Sequence, residues 1–455
     1  MLIHSSGLSK VKDSVTEKIF LGHEPNAELI AILTVYFVQG ILGLARLAVS
    51  FFLKDELLLS PAQMSVLLGI VALPWMIKPI FGFVSDGFPI FGYRRRPYLV
   101  LSGILGAAAW VSLATIVHTS WAATVAIFLS SLSVAVSDVI VDSLVVERAR
   151  AESQADAGSL QSLCWGASAV GGLITAYLSG MLLEHFTTQT VFWITALFPL
   201  LLSVVAWLIA ETPISKDAKD SNHTNFIAVK HQVRQLREAF TQKAIWLPTA
   251  FIFIWQATPS ADSAFFFFST NELHFEPEFL GRVHLLTSVA SLVGVWIFQR
   301  FLKSIPFRVI FGWSTFLSAT LGMTTLILVT HTNRVLGIDD HWFSLGDSLI
   351  LSVMGRIAFM PVMVLAARLC PLGVEATLFA LLMSIFNSAG MVSHASGALI
   401  MNWLGITSTN FDSLWLLVVI TNFSTLLPLP FLNWLPAAEE QTETLTLQPA
   451  SVENG

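Results

Sequence analysis

Charge is scarce in this chain. Of 455 residues, 12% are Asp, Glu, Lys or Arg and 55% are apolar, whereas a soluble domain carries about a quarter charged residues. That deficit excludes a water-soluble domain and points to an integral membrane protein. The net charge of −6 excludes a nucleic-acid partner, which would need a basic surface. Cysteine is nearly absent. Cys164 and Cys370 stand far apart in or beside apolar segments, so they read as packing residues and not as a disulfide or a metal pair. No HExxH, CxxC, Walker or GxSxG pattern occurs, which removes the common hydrolase, redox and ATPase readings. No catalytic residue, metal or cofactor is expected, and the chain does not read as an enzyme.

What the chain has instead is long apolar runs. A membrane-spanning helix needs about 20 apolar residues, and stretches meeting that length lie at 28–53, 61–85, 97–118, 120–146, 158–183, 189–210, 244–270, 279–302, 308–330, 344–368, 375–403 and 412–435. The expected fold class is therefore an all-α membrane protein with about twelve transmembrane helices. Its organisation would be an N-terminal tail (1–27), a six-helix bundle (28–210), a linker (211–243), a second six-helix bundle (244–435) and a polar, acidic, disordered tail (436–455). The tail 1–27 has neither a cleavable signal pattern nor a transit-peptide composition. Six plus six helices around a long linker suggests paired repeats, as in major-facilitator transporters. Small-residue runs ending in Ser179-Gly180 and Ser396-Gly397 are a weak trace of such a repeat.

Cations set the orientation. With the N-terminus inside, Lys10, Lys12, Lys18, Arg94, Arg95, Arg96, Arg148, Arg150, Arg300, Lys303, Arg308, Arg368 and six linker cations fall on the cytoplasmic side. Lys54, Arg282 and Arg334 fall outside. This bias predicts that both termini are cytoplasmic.

Few ionisable residues lie within the apolar segments, and an intramembrane charge is a functional candidate by default because it is costly to bury. Arg46 is in the first segment, Asp138 and Asp142 in the fourth, Asp262 in the seventh and Arg356 in the tenth. Arg356 lies about 18 Å from either end of its segment at about 1.5 Å per residue. Asp138 and Asp142 are four apart and share a helix face. Two carboxylates so close repel, so one can hold a proton, as proton coupling requires. Arg46 and Arg356 have the fork geometry that binds a carboxylate. Each of these charges has a bland alternative, an internal salt bridge such as Arg46–Asp262 or Arg356–Asp138. His394 is a proton-relay candidate, with packing the commoner role for such a histidine. Lys78 lies near the cytoplasmic boundary, where it can snorkel. Trp75, Trp165, Trp255 and Phe265 to Phe268 could stack on a flat ring, although packing is the commoner role for each.

Between the second and third segments runs Asp86-Gly-Phe-Pro-Ile-Phe-Gly-Tyr-Arg-Arg-Arg-Pro97. Its arginines fix topology. Asp86, Arg94, Arg95 and Arg148 are also expected to form a cytoplasmic gate, with an Asp86–Arg148 contact that locks this side closed and breaks to open it.

These residues carry a resemblance. Tyr36-Phe-Val-Gln-Gly-Ile-Leu-Gly-Leu-Ala-Arg46, Leu73-Pro-Trp-Met-Ile-Lys-Pro79, the loop from Ser85-Asp86 to Pro97, Ser137-Asp-Val-Ile-Val-Asp-Ser-Leu-Val-Val-Glu-Arg148 and Gly158-Ser-Leu-Gln-Ser-Leu-Cys-Trp-Gly166 resemble the folate–biopterin transporter family of the major-facilitator superfamily, in its cyanobacterial and plastid branch. The resemblance is continuous over the first five helices and weaker in the second half, where Arg356 and the Asn387 region carry it. It implies secondary transport of folates, pterins and methotrexate-like antifolates by alternating access, coupled to protons. It further implies a monomer in the inner (plasma) membrane or, alternatively, the plastid envelope. On this reading Asp138 or Asp262 accepts from the pterin's amino-pyrimidinone edge, Arg356 and Arg46 take the glutamyl carboxylates, and Asp142 is a further substrate-binding candidate. The alternatives are a permease for another organic anion, sugar or drug, a non-transporting receptor and a membrane-embedded enzyme.

Overall fold

The computed structural model describes residues 20, 23, 25–149, 154–213, 241–302, 305–369 and 375–436. Most of the expected N-terminal tail, most of the linker with Lys216, Lys219, Lys230, Arg234 and Arg237, nearly all of the acidic tail and Cys370 lie outside the described residues. Among those described, every regular element is helical, and the one pair bonded like strands is the isolated bridge Ile90–Tyr93 in the arginine loop. Among the described residues ten helices are long and apolar enough to cross a membrane. In chain order the elements are α1 Ala27–Glu56, α2 Pro61–Gly87, α3 Arg96–Thr115, α4 Ser120–Ala149, α5 Gln154–His185 and α6 Thr188–Leu208. After the linker come α7 in two pieces, Lys243–Gln256 and Asp262–Phe267, then α8 Pro277–Leu302, α9 Phe307–Val329, α10 Asp340–Arg368, α11 Glu375–Trp403 and α12 Leu414–Trp434.

Packing divides the chain into two compact units. The first is residues 1–58, 77–225 and 277–282; the second is 59–76, 226–276 and 283–455. The second unit therefore includes the first part of α2, up to Met76.

In the first unit the core is made by α1, α3, α4, α5 and α6 through Leu29, Ile32, Val35, Leu99, Ile140, Val141, Leu160, Cys164 and Leu202. Between helices in lipid, van der Waals contact and hydrogen bonds replace the hydrophobic effect, so small residues sit at the seams. Gly40 of α1 meets Gly171 and Gly172 of α5: a methyl on Gly40 would stand 2.2 Å from the Ser168 carbonyl oxygen. The α3 seams are pinned by hydroxyls, Ser133 Oγ donating to Ser102 O at 2.6 Å and Ser203 Oγ to Val100 O at 2.9 Å. Because the obstacle at Gly40 is backbone, Gly40→Val is expected to cost at least about 3 kcal/mol by overpacking. The check is the thermal unfolding midpoint of the detergent-solubilised protein, which Gly40→Val should lower.

In the second unit Phe251, Ile252, Phe307, Phe311, Val362 and Leu365 form one cluster. The segment 257–261 divides α7, because Pro259 has no N–H for a helical bond. Neighbouring α11 satisfies the freed groups: Ser260 N donates to Ser393 O at 3.1 Å and Ser393 Oγ to Thr258 O at 2.5 Å. Irregular backbone at membrane depth requires such partners. The break in α9 is held in the same way, by Asp347 of α10, which accepts from Thr324 Oγ1 at 2.5 Å and Thr325 Oγ1 at 2.8 Å.

The ends of α1 and α7 are built alike. Phe52–Glu56 and Phe268–Glu272 are both π-helical, and in each the next residue, Leu57 or Leu273, donates its N–H to the opening Phe carbonyl at 3.0 Å. Leu58 and His274 then take left-handed φ values of 52° and 55°, and Pro61 and Pro277 open the following helices. Each pair is 216 residues apart. This corner is a much stronger internal repeat than the Ser-Gly runs.

Candidate functional site

The polar centre of the first unit lies among α1, α2 and α4. Asp138 is 9% exposed, and its partner is the Lys78 ammonium. This lysine comes from the second piece of α2, and the sequence offers an Arg356–Asp138 bridge only as a bland alternative. Lys78 reaches inward because Pro79 and the non-helical turn at Ile77, with φ −99° and ψ 12°, restart α2 at that point. Its Nζ is also 3.8 Å from Asp142 Oδ2, and the Tyr36 hydroxyl donates to Asp142 Oδ1 at 2.5 Å. The four-residue spacing does put both carboxylates on one face. Their environments differ, however: the Asp138 side chain is 12% exposed and that of Asp142 is 48%. One ammonium against two carboxylates leaves an acidic site that can take a proton or a donor-rich ligand edge. Arg46, on the second half of α1, is exposed.

Lys78 and Tyr36 were not among the expected site residues. The signal for Lys78 was a lysine eight residues before Asp86, about 12 Å inside its helix end, where snorkelling and pairing compete. For Tyr36 the only signal was a tyrosine in an apolar helix, which is weak.

In the second unit Arg356 lies on α10 with its guanidinium over the Phe359 ring, 5.6 Å from the centroid. Gly294 of α8 makes room for it: a methyl there would meet Val353 O at 2.7 Å and Arg356 Cβ at 3.0 Å. Asp262 is exposed and opens the second piece of α7, directly after the break. His394 follows Ser393, the residue that bridges that break. Its carbonyl accepts from Ser65 Oγ at 2.9 Å, and its Nδ1 is 3.5 Å from the same oxygen. Asn387 Nδ2 donates to Trp75 O at 3.2 Å. Of the aromatic candidates Phe267 and Phe268 are core residues, 0% and 1% exposed, and the half-buried Trp255 packs edge-on against Phe311. Asp347, absent from the sequence list, clamps the α9 break. No cluster of three or more His, Cys, Asp or Glu that could hold a metal occurs among the described residues.

On the arginine-loop side, Arg95 is the hub. Its Nη1 lies 2.7 Å from Asp86 Oδ1 and 3.2 Å from Ser85 Oγ, and its Nη2 lies 2.8 Å from Glu147 Oε1. The expected Asp86–Arg148 contact is corrected: Arg148 Nη1 donates to Asn26 Oδ1 at 3.1 Å. Arg148 is one residue beyond Glu147 on α4, and successive residues of a helix point in different directions. Arg94 enters through its backbone N–H, which donates to Glu211 at 2.5 Å.

The helices, their breaks and their intramembrane charges define a membrane transporter of the major-facilitator fold. The fold matches crystal structures of the nucleoside transporter NupG (TM-score 0.67, 13% identity, 90% of this chain and 100% of that one) and of a D-xylose–proton symporter (0.65, 14%, 90% and 98%). The chain belongs to the BT1 family, whose model matches residues 39–453. It is 61% identical to a folate-biopterin transporter of Synechocystis sp. over 436 residues, covering 96% of this chain and 87% of that one. It is 31% identical to folate transporter 2 of Plasmodium falciparum, covering 91% and 89%.

Proposed function

We propose that this protein carries folates and pterins across a membrane by alternating access, with proton movement coupled through the Asp138–Asp142 pair. The observation that carries this reading is the acidic cluster of Tyr36, Lys78, Asp138 and Asp142 in a chain whose full-length relatives include a folate-biopterin transporter. Lys78 engages Asp138, and Asp142 is the more accessible carboxylate. Asp142 therefore accepts from the amino-pyrimidinone edge of the pterin, while Asp138 and Lys78 hold the proton balance. Arg356 takes a glutamyl carboxylate, its guanidinium held over the Phe359 ring. Arg46, Asp262 and His394 are secondary candidates for substrate contact or proton relay.

The Asp86–Arg95–Glu147 network is the cytoplasmic gate, with Arg94 and Arg148 as its flanks. The halves 28–210 and 244–435, the linker 211–243 and both terminal tails on the cytoplasmic side complete the arrangement. The protein works as a monomer in the plasma membrane and accepts methotrexate-like antifolates.

Counterflow of labelled folate and biopterin in proteoliposomes, with and without a pH gradient, tests this reading. Both should exchange, methotrexate should compete, and an inward proton gradient should drive accumulation. Uptake of another organic anion that neither folate nor biopterin inhibits would refute it. Arg356→Ala and Asp142→Asn should each lower folate uptake, whereas biopterin, which has no glutamate, should be spared by Arg356→Ala.

A further inference from the structure

We infer that Glu211 is a positioning residue for the gate: its carboxylate fixes the backbone of Arg94, Arg95 and Arg96, and thereby aims the Arg95 guanidinium at Asp86 and Glu147. This rests on the gate reading above. The first turn of a helix leaves N–H groups without intrahelical partners, and α3 begins at Arg96. Glu211, just past the end of α6, supplies the acceptors. Its Oε1 accepts from Arg94 N at 2.5 Å and Arg95 N at 3.0 Å, and its Oε2 from Arg95 N at 3.2 Å and Arg96 N at 3.0 Å. A carboxylate at the positive end of a helix dipole makes strong, charge-assisted bonds.

The same junction is held a second way. Arg96 Nη2 donates to Ile209 O at 2.7 Å, and the guanidinium lies over the Trp207 and Tyr93 rings, 5.5 and 5.2 Å from their centroids. A loop that served only to mark topology would need its charges but not this anchoring. The three arginines thus have different duties: Arg94 lends its amide, Arg96 its stack, and Arg95 its side chain. Glu211 is also the first residue of the linker, so the tie joins the linker directly to the gate.

The test uses the full chain in proteoliposomes, with rates expressed per folded transporter. Glu211→Gln keeps the shape but loses the charge and one acceptor oxygen. Its folate Vmax should fall about tenfold, within the range of coupling energies between linked sites, with KM changed by less than about twofold. Glu211→Asp, one methylene shorter, should lose about threefold in Vmax at unchanged KM, and it decides the matter alone if Glu211→Gln does not fold. The double variant Glu211→Gln with Arg95→Lys should be no worse than Arg95→Lys by itself, since both act through one side chain. Wild-type Vmax in Glu211→Gln or Glu211→Asp, or independent multiplication in the double variant, would overturn the inference. Wild-type Vmax in both Asp86→Asn and Arg95→Lys would remove the gate reading and this inference together. A loss there with none at Glu211 removes this inference alone.

Discussion

Lys78→Met abolishes most transport. The ammonium is the cation beside Asp138, and removing one partner of a buried ion pair leaves an uncompensated charge that costs on the order of 3 kcal/mol. Folate uptake is expected to fall on the order of 100-fold, equivalent to about 2.8 kcal/mol at about 1.4 kcal/mol per tenfold. The double variant Lys78→Met with Asp138→Asn separates transport from scaffolding. Removing both charges relieves the unpaired one, so the unfolding midpoint should return toward wild type while uptake stays low. If uptake also returned, the pair would be only a structural latch and the proton-coupling role would pass to Asp142 with Tyr36. The double variant is scored by initial rates under an imposed pH gradient, which the wild type should use and the variant should not.

Arg95→Ala is the second large effect. Asp86 and Glu147 are more than half exposed as side chains, so each pair alone is worth under about 1 kcal/mol. Arg95 itself is 11% exposed and meets Asp86, Glu147 and Ser85 together. Its loss frees three groups at once. Uptake Vmax should drop about 30-fold, within the span of measured coupling energies, with equilibrium folate binding unchanged. Arg148→Ala should stay within about threefold of wild type, because it leaves the Asp86–Arg95–Glu147 contacts in place. Equal losses from Arg95→Ala and Arg148→Ala would sink the assignment of Arg95 as hub.

Much of this protein was legible in its sequence because lipid imposes simple rules. Length and apolarity gave the helices. The four-residue spacing of Asp138 and Asp142 placed both on one face, and the arginine loop marked a polar junction. The seventh segment, by contrast, reads as one unbroken span over 244–270, and its interruption at Pro259 is a structural finding. Less legible were the partners. Lys78 resembled a snorkelling lysine because its position near a helix end permits either direction, and the turn at Ile77 decides between them. Arg148 resembled the partner of Asp86 because sequence adjacency to Glu147 does not say which residue of a helix faces inward. Glu211 was counted as the start of a linker, since nothing local shows that the first turn of α3, more than a hundred residues earlier, lies beside it. The repeat was written in plain residues, Phe52 to Pro61 against Phe268 to Pro277, but its meaning depends on two π-turns and two left-handed residues that composition does not reveal.

The sequence by itself determined the membrane class, the helical content and the short roster of intramembrane charges, since hydrocarbon tolerates few other solutions for a chain this apolar. Only the tertiary structure decided how those charges pair. Ion pairing depends on distances of a few ångströms between helices far apart in the chain, set by where each helix breaks and which face it turns. Asp138 therefore belongs to Lys78, Asp86 to Arg95, and the three arginine amides to Glu211.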